Sequence, residues 1–355
     1  METVRYGMIG FGGIAENRLA KEGFGLDRAR FAAGPAAARL LAASDVNPAR
    51  RPAVEALGLA WAASADEMLA RADIDAVVVA TNNLTHAALA RRALAAGKHV
   101  FVEKPMATTS ADARGLLALA REKGLSLAVD HMMTHNAWNR AARDLVRGGT
   151  LGTVNDAVFH MEFGYGFEPA EAASWRCANT DELGGPIGDV ASHCFYMAEF
   201  MFDAAIARVA AVYLPKTMSI AAEDGAYVKY ELSDGRRGSI KAAFSEPRGG
   251  LGGTLSNLGY EIYGDRGVLR AHGTLFQLSG HPGEPVPQRL ELDHFTSRSE
   301  ITPKDIANIY QGVIARQAES ILSGQPWLAD DAARNVALCE AAHASARAGG
   351  VWKDI

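Results

Sequence analysis

The stretch VRYGMIGFGGIA, residues 4–15, decides the fold of this 355-residue chain. Its first half is an apolar run typical of a strand, and its second half has the spacing GxGxxA. Between a strand and a helix, the first glycine allows a tight turn and the second lets backbone N–H groups approach a pyrophosphate. The stretch therefore predicts dinucleotide binding; the alternative is a plain strand-to-helix turn. The predicted loop contacts are Gly10, Phe11, Gly12, Gly13 and Ile14.

Strand patterns alternate with helical patterns through the first 130 residues. After the opening strand, aliphatic runs occur at residues 76–80, 99–102 and 125–129, with helical patterns at 84–96 and 110–123. Each helical pattern ends at a glycine, which is a common helix C-cap. Strands alternating with helices predict a doubly wound α/β sheet, so we expect a dinucleotide-binding Rossmann domain over residues 1–130.

The pattern changes after residue 150. Short strand patterns joined by turns occur at 154–163, 206–215, 226–232, 237–244, 259–263 and 267–270. Helical patterns at 303–323 and 330–347 close the chain, and we expect the glycine-rich segment 248–253 to be a mobile loop. Residues 131–355 are thus predicted to form a second domain for substrate binding and oligomerisation, whose last helix can pack back on the first domain.

Composition excludes several classes of partner. The formal net charge is −5, so the clustered basic excess that nucleic acids and anionic membranes require is missing. The three cysteines lie far apart and suit neither a disulfide framework nor a metal site, which favours a reducing compartment. No basic-then-apolar leader and no run of about 18 apolar residues is present, so we expect a cytoplasmic protein without a membrane partner.

Asp45 is the candidate for the acidic residue that binds the adenosine ribose. It ends the second strand pattern but lies 35 residues after the first glycine, so we expect segment 20–37 to be an insertion. A carboxylate at this place repels a 2′-phosphate and therefore favours NAD over NADP, although Arg50 and Arg51 keep NADP open. Alternatively, Asp45 caps a helix that begins near Pro48.

Two further clusters carry candidate chemistry. Glu103-Lys104-Pro105 directly follows a strand pattern, and ligands of open α/β sheets bind at the carboxyl ends of strands. Later, a glycine- and proline-rich turn leads into a mostly apolar helical pattern that carries Asp189 and His193 one turn apart. Titratable groups on a buried helix need partners or a function. The alternatives are a surface lysine, an N-cap aspartate and a core histidine.

The ordered set of motifs resembles the glucose-fructose oxidoreductase / inositol dehydrogenase (Gfo/Idh/MocA) family. The set comprises the GxGxxA loop, Thr81-Asn82-Asn83-Leu84-Thr85-His86, Glu103-Lys104-Pro105 and Asp189-x-x-x-His193. The run Tyr260–Gly267 and the C-terminal segment Asp331–Ser345 are similar to later family signatures, so the resemblance covers almost the whole chain. It implies a Rossmann domain followed by an α/β domain with an open, mostly antiparallel sheet, which in relatives often joins subunits into dimers or tetramers.

The resemblance also implies roles for particular residues. The family's active-site lysine falls on Lys104, and its Asp/His pair falls on Asp189 and His193. The cofactor contacts near the nicotinamide fall on Thr81, Asn82, Asn83, His86 and Glu103, of which Glu103 matches the residue that commonly touches the nicotinamide ribose.

One departure from the family concerns the substrate. Many relatives have an arginine shortly after the strand that ends here near Val129, whereas this chain continues Asp130-His131-Met132-Met133-Thr134-His135. The absence of this arginine argues against an anionic substrate. His131 and His135 then become candidate substrate contacts. Trp175 and Arg176 lie where relatives often touch the substrate. The alternatives are two water-facing loop histidines and a tryptophan that serves packing.

These features predict an NAD(P)-dependent oxidoreductase that transfers hydride between nicotinamide and a secondary alcohol of a sugar, anhydrosugar, glycoside or cyclitol. In the oxidation direction His193 accepts the hydroxyl proton, Asp189 orients the imidazole or binds an adjacent hydroxyl, and Lys104 stabilises the developing alkoxide. No metal is expected. Two alternatives stay open: an enzyme that cleaves glycosides through transient NAD-dependent oxidation, and a non-catalytic NAD-binding regulator.

Overall fold

The computed structural model describes residues 3–162, 164–178, 182–246, 258–273 and 288–355. The chain divides into two compact units. Of the described residues, the first unit contains 3–135 and 307–333, and the second contains those between 136 and 306 together with 334–355. The sequence predicted a single boundary near residue 130, whereas the structure groups 307–333 with the N-terminal unit.

The first unit is built on a six-stranded parallel sheet, as the sequence predicted. The strands follow the order β3-β2-β1-β4-β5-β6, so the order reverses between β1 and β4, where open α/β sheets bind their ligands. Their bounds are β1 Val4–Ile9, β2 Ala38–Ser44, β3 Ala60–Trp61, β4 Ala76–Val79, β5 His99–Val102 and β6 Leu127–Val129. Every residue of β4 and β6 is buried, which explains why these strands are continuous apolar runs.

Some helices of the first unit begin at a side-chain cap. The helices of this unit are a π-helix at Ala15–Gly23, α1 Arg51–Ala56, α2 Ala65–Ala70, α3 Asn83–Ala95, α4 Ser110–Lys123 and α9 Ile309–Leu322, with short 3-10 turns at Pro48–Arg50 and Met132–His135. Thr109 caps α4 by accepting the N–H of Asp112, and Gly124 ends it in the left-handed conformation.

Buried polar contacts explain why α9 belongs to the first unit. Tyr6 of β1 donates to Gln317 at 3.1 Å, and the amide of Asn308 donates to Glu22 at 2.7 Å. Asn308 also caps α9 by accepting from the backbone N–H groups of Tyr310 and Gln311. The helix therefore begins at Ile309, six residues later than the helical pattern suggested.

The second unit contains the open, mostly antiparallel sheet that the resemblance implied. Nine strands follow the order β14-β13-β12-β11-β7-β10-β9-β8-β15, and only β7 and β10 pair in parallel. Their bounds are β7 Val154–Glu162, β8 Ile206–Tyr213, β9 Gly225–Leu232, β10 Arg237–Ala243, β11 Leu258–Gly264, β12 Val268–His272, β13 Arg289–Asp293, β14 Arg298–Glu300 and β15 Lys353–Asp354.

The helices of the second unit pack against this sheet or against one another. They are α5 Ala137–Arg147, α6 Pro169–Ala172, α7 Trp175–Ala178, a π-helical turn Ile187–Ala191 that continues into α8 Ser192–Phe202, and α10 Asp330–Arg347, within which the unit boundary falls. Residues 187–199 are all buried, as predicted for an apolar helix. Among the residues that the structure describes, none of the helices has both the length and the apolar character needed to cross a bilayer.

Candidate active site

The glycine loop after β1 has the conformation that dinucleotide binding requires. Gly10 has a φ of +89°, and a Cβ there would lie 2.5 Å from the carbonyl oxygen of Ala80. Only glycine fits this turn without strain. A Cβ at Gly12 or Gly13 would meet no atom within 4 Å, and both residues are exposed. The loop therefore leaves an open cradle beside the N-terminus of the following helix, which suits a pyrophosphate.

Asp45 contacts this loop directly. Its carboxylate accepts hydrogen bonds from the backbone N–H of Phe11 at 2.6 Å and of Asn47 at 2.8 Å. The alternative role as a helix cap belongs instead to Asn47, whose side chain accepts from the N–H of Ala49. Asp45 thus lies at the end of β2 beside the loop, as a ribose ligand would.

The two nearby arginines are engaged with acidic side chains. Arg50 donates to the carbonyl oxygen of Phe11 at 2.7 Å and pairs with Glu16. Lys21 also pairs with Glu16, and the hydrogen bonds from Lys21 and Arg50 hold the pKa of this carboxyl below its usual value. Arg51 pairs with Glu55 at 2.7 Å. A 2′-phosphate would therefore have to compete with Glu16 for Arg50.

His86 ties together the loops that follow β4 and β5. The buried ring donates from Nδ1 to the carbonyl oxygen of Pro105 at 2.8 Å, and its Nε2 lies 3.2 Å from that of Thr81. Burial lowers the pKa of His86, so the ring is neutral near pH 7. Asn82 precedes α3 and Asn83 begins it, buried at its first turn.

Glu103 and Lys104 directly follow β5. The backbone N–H of Glu103 donates to Val79 at 2.9 Å, and its carboxylate accepts from the N–H of Lys104 at 3.1 Å. Both residues are half-buried, and the Lys104–Pro105 peptide bond is cis. The ammonium of Lys104 lies close enough to His86 to lower its pKa. Lys104 is therefore part of the strand-end cluster and not an isolated surface lysine.

The two histidines after β6 differ in their surroundings. His131 is buried, and its Nδ1 lies 2.8 Å from Asp331 at the start of α10. This contact lowers the pKa of Asp331 against the opposing effect of burial. His135 is half-buried and packs against Gly312 of α9. Neither is a water-facing loop histidine, and their contact with substrate stays a prediction.

In the second unit, the structure brings together Asp189, His193, Trp175 and Arg176. Asp189 lies 3.2 Å from Nε of Arg176, whose guanidinium lies 4.9 Å from the ring centre of Trp175 and 5.7 Å from that of Tyr165. Nδ1 of His193 is 2.7 Å from the hydroxyl of Tyr196. Tyr196 lies three residues after His193 in the same helix, and the sequence analysis did not predict its contact with the imidazole.

Glu223 is a residue that the sequence analysis missed. Its Oε1 accepts the N–H of Ile187, so Glu223, and not Asp189, binds the start of the helix. A Cβ at Gly185, which has a φ of +73°, would lie 2.4 Å from its Oε2. Burial raises the pKa of Glu223 to about 7. No signal could have identified Glu223, because it lies 36 residues beyond the turn it supports.

Each half of the predicted site is thus assembled within its own unit. The convergence of Lys104 with Asp189 and His193 stays a prediction, as do the individual roles of these residues. The glycine-rich segment 248–253 lies outside the described residues.

Comparisons with known proteins agree with this architecture. The oxidoreductase family model GFO_IDH_MocA, a NAD-binding Rossmann fold, matches residues 4–131, and the model of the GFO/IDH/MocA C-terminal domain matches residues 139–270. The chain is 29% identical over 266 residues to the 1,5-anhydro-D-fructose reductase of Ensifer adhaerens, a match that covers 74% of each chain.

Two solved structures have the same fold. One is levoglucosan dehydrogenase in complex with NADH and levoglucosan, with a TM-score of 0.81, 19% identity and 99% of both chains covered. The other is a 3-ketoreductase from Actinomadura kijaniata in complex with NADP and TDP-benzene, with a TM-score of 0.81 and 22% identity. That match covers 97% of this chain and 98% of the other.

The two loop glycines should separate folding from cofactor binding. We expect Gly10→Ala to lower the free energy of unfolding by about 2 kcal/mol or more, because the methyl group meets Ala80 in a left-handed turn. Gly12→Ala should unfold like the wild type but weaken NADH binding at least about tenfold, because its methyl group fills the cradle. Denaturant unfolding and fluorescence titration measure the two effects. Wild-type NADH affinity in Gly12→Ala would contradict the assignment of the cradle.

Glu223 should make stability depend on pH. The pKa of this carboxyl is about 7 in the folded chain against an ordinary value of 4.5, so the folded state binds the proton more tightly. Stability should therefore fall as pH rises from about 4.5 to about 7 and stay level above, by a total on the order of 3 kcal/mol. Glu223→Gln should remove this fall and be the more stable chain near pH 8. The exposed Glu300→Gln is the control, and parallel wild-type and Glu223→Gln stability curves would refute the assignment.

Proposed function

Because the chain belongs to the Gfo/Idh/MocA oxidoreductase family, we propose that it is an NAD-dependent dehydrogenase or reductase acting on a secondary alcohol of a neutral sugar, anhydrosugar, glycoside or cyclitol. The observation that carries this proposal is the cluster at the carboxyl edge of the six-stranded sheet. There the open glycine loop, the ribose-type carboxylate of Asp45 and the Glu103–Lys104 pair directly follow β1, β2 and β5.

The residues of this edge fit a nicotinamide dinucleotide. Gly12 and Gly13 offer the open cradle for the pyrophosphate, and Asp45 suits the adenosine ribose. Glu103, with Thr81 and Asn82 after β4, is proposed to bind the nicotinamide side. When bound, the nicotinamide ring supplies the acceptor or donor of hydride.

The chain's own residues then handle the proton. His193 acts as general base through Nε2, which requires that Nδ1 carries the hydrogen and donates it to Tyr196 at 2.7 Å. Asp189 pairs with Arg176 at 3.2 Å, and it orients the substrate or the imidazole while His193 takes the proton. Lys104 donates to the reacting oxygen and stabilises its developing charge.

The charge balance near Asp189 supports a neutral substrate. Arg176, itself a predicted substrate contact, is paired with Asp189 at 3.2 Å, which balances its charge. Its guanidinium contacts the rings of Trp175 and Tyr165, which together suit the apolar faces and hydroxyl groups of a sugar ring. An anionic substrate would have to displace Asp189 from this arginine.

The sheet of the second unit supports a proposal about assembly. Its face opposite α5 and α8 carries half-exposed Tyr227 and Val212 beside a network of charged side chains. We propose that this face joins two or four copies of the chain, as the family resemblance implies. A cytoplasmic location is also proposed, because the three scattered, buried cysteines suit a reducing compartment.

Lys104→Ala should lower turnover about 10²- to 10⁴-fold while NADH affinity changes little, because the lysine acts on the reacting oxygen. NADH formation is followed by absorbance with inositols, aldoses, anhydrosugars and glycosides as substrates. Lys123→Ala, an exposed residue at the end of α4, is the matched control. Near-normal turnover in Lys104→Ala would refute the role of the lysine. Glycoside cleavage without accumulation of NADH would favour the glycoside-cleaving alternative.

The ratio of kcat/KM for NAD to that for NADP should be at least about 10 in the wild type, because Asp45 repels a 2′-phosphate. Asp45→Ser should reduce this preference, and Asp45→Ser with Glu16→Gln should reduce it further, because Arg50 loses its carboxylate partner. Adding Arg50→Ala to this double variant should cancel the effect of Glu16→Gln on the preference. Arg51→Ala is the control, since Arg51 pairs with Glu55. A wild-type preference for NADP would overturn this assignment.

A further inference from the structure

The function proposed above assigns no role to the carboxyl group of Asp130, which is buried at the end of β6. Asp130 is 1% exposed, and its backbone N–H donates to the carbonyl oxygen of Val102 at 3.1 Å. Among the described residues, its Oδ1 has no hydrogen-bond partner. An aspartate buried in this way is costly unless it is neutral or paired, so its surroundings require an explanation.

The neighbouring strand end supplies that explanation. Val102 of β5 pairs with Val129 of β6, so the next residues, Glu103 and Asp130, lie side by side at the edge of the sheet. Two adjacent carboxyl groups can share a hydrogen bond only if one of them carries a proton. Burial, and next the negative charge of Glu103, raise the pKa of Asp130 well above its usual value, while the ammonium of Lys104 opposes them. Glu103 is only half-buried and accepts the N–H of Lys104, whereas Asp130 is almost completely buried. The proton therefore resides on Asp130.

We propose that Asp130 is a positioning residue: its carboxyl group donates a hydrogen bond to Glu103 and thereby holds that carboxylate beside Lys104, in place to contact the bound dinucleotide. The proposal rests on the assignment of Glu103 to cofactor binding. In this arrangement the two acids together carry one negative charge, which balances the single positive charge of Lys104.

The charge balance makes this arrangement sensitive to pH. As pH rises through the raised pKa of Asp130, the shared proton is lost and two carboxylates repel each other. Two other titratable groups lie near the pair. The charge of Glu22 in the π-helix raises the pKa of Asp130, and burial together with the charge of Asp130 raises the pKa of Tyr310 in α9. Neither of these groups is positively charged. When the two carboxylates repel each other, Lys104 is therefore the one group among these that attracts Glu103 and holds it in place.

Asp130→Asn and Asp130→Leu test this inference. Asparagine keeps a donor for Glu103 and cannot ionise, whereas leucine has a similar size and no donor. NADH affinity is measured by fluorescence titration from about pH 6 to about pH 9, with Glu122→Gln, an exposed residue of α4, as the control. Thermal unfolding of each variant reports whether it folds.

Near neutral pH we expect Asp130→Asn to bind NADH within about threefold of the wild type and Asp130→Leu at least about tenfold more weakly. Any loss of wild-type affinity towards alkaline pH should be smaller in Asp130→Asn. Equal weakening in both variants would overturn the proposal. If Asp130→Leu does not fold, a weakening of about tenfold or more in Asp130→Asn near neutral pH overturns it alone.

The readout also separates this inference from the proposed function. NADH binding requires no sugar, so a chain that binds NADH and oxidises no polyol would refute the dehydrogenase assignment and leave the Asp130 comparison intact. With an active substrate, the same variants should change the KM for NAD in parallel with the NADH affinity, and kcat should change less.

Discussion

The ladder of hydrogen bonds between parallel strands is the constraint on which the cofactor half of the site depends. The ladder continues one residue past the strand ends: Gly10 donates to Ser44, Ala80 to Ile9, Glu103 to Val79, and Asp130 to Val102. Because parallel strands end on the same edge, these residues are brought to one line across the sheet. The chemistry of that edge follows from which side chain occupies the first position after each strand.

Four acidic groups near the predicted site are stabilised in four different ways. Asp45 accepts two backbone N–H groups, Asp189 pairs with an arginine, Glu223 caps the start of a helix, and Asp130 shares a proton with a second carboxyl group. For Glu223 and Asp130, burial is the largest influence and raises the pKa, which favours the neutral form. Backbone N–H groups, a cation or a second acid thus hold these carboxyl groups, according to what the fold places beside each one.

The sequence predicted the elements whose pattern is local. Continuous aliphatic runs identified β4 and β5, and the helical period with a terminal glycine identified α4 at its observed bounds, residues 110–123. The motif order also predicted which residues lie at the sheet edge. The short strands β3, β14 and β15 were not predicted, because strands of two or three residues have no period and exist only through their neighbours in the sheet.

Contacts between distant parts of the chain were beyond prediction for a related reason. The hydrogen bonds that Asn308 donates to Glu22 and that His131 donates to Asp331 join residues about 200 to 290 positions apart, and they are among the contacts that attach 307–333 to the first unit. Likewise, Glu223 supports Ile187 although neither belongs to a motif. A single sequence contains no periodicity or spacing that relates such pairs.

Each half of the predicted site is held within its own unit, and this bears on how the proposed activity can be lost. The first unit contains the cradle, the ribose carboxylate and the Glu103–Lys104 pair, and each of these is held by contacts within that unit. The proposed base and its orienting pair are held by contacts within the second unit. In the proposed mechanism, changes at Asp189 or His193 would abolish proton transfer and leave the described contacts of the dinucleotide loop in place. The presence of this pair together with Lys104 therefore favours the proposed catalysis over the mere sensing of NAD, since sensing requires only the first set.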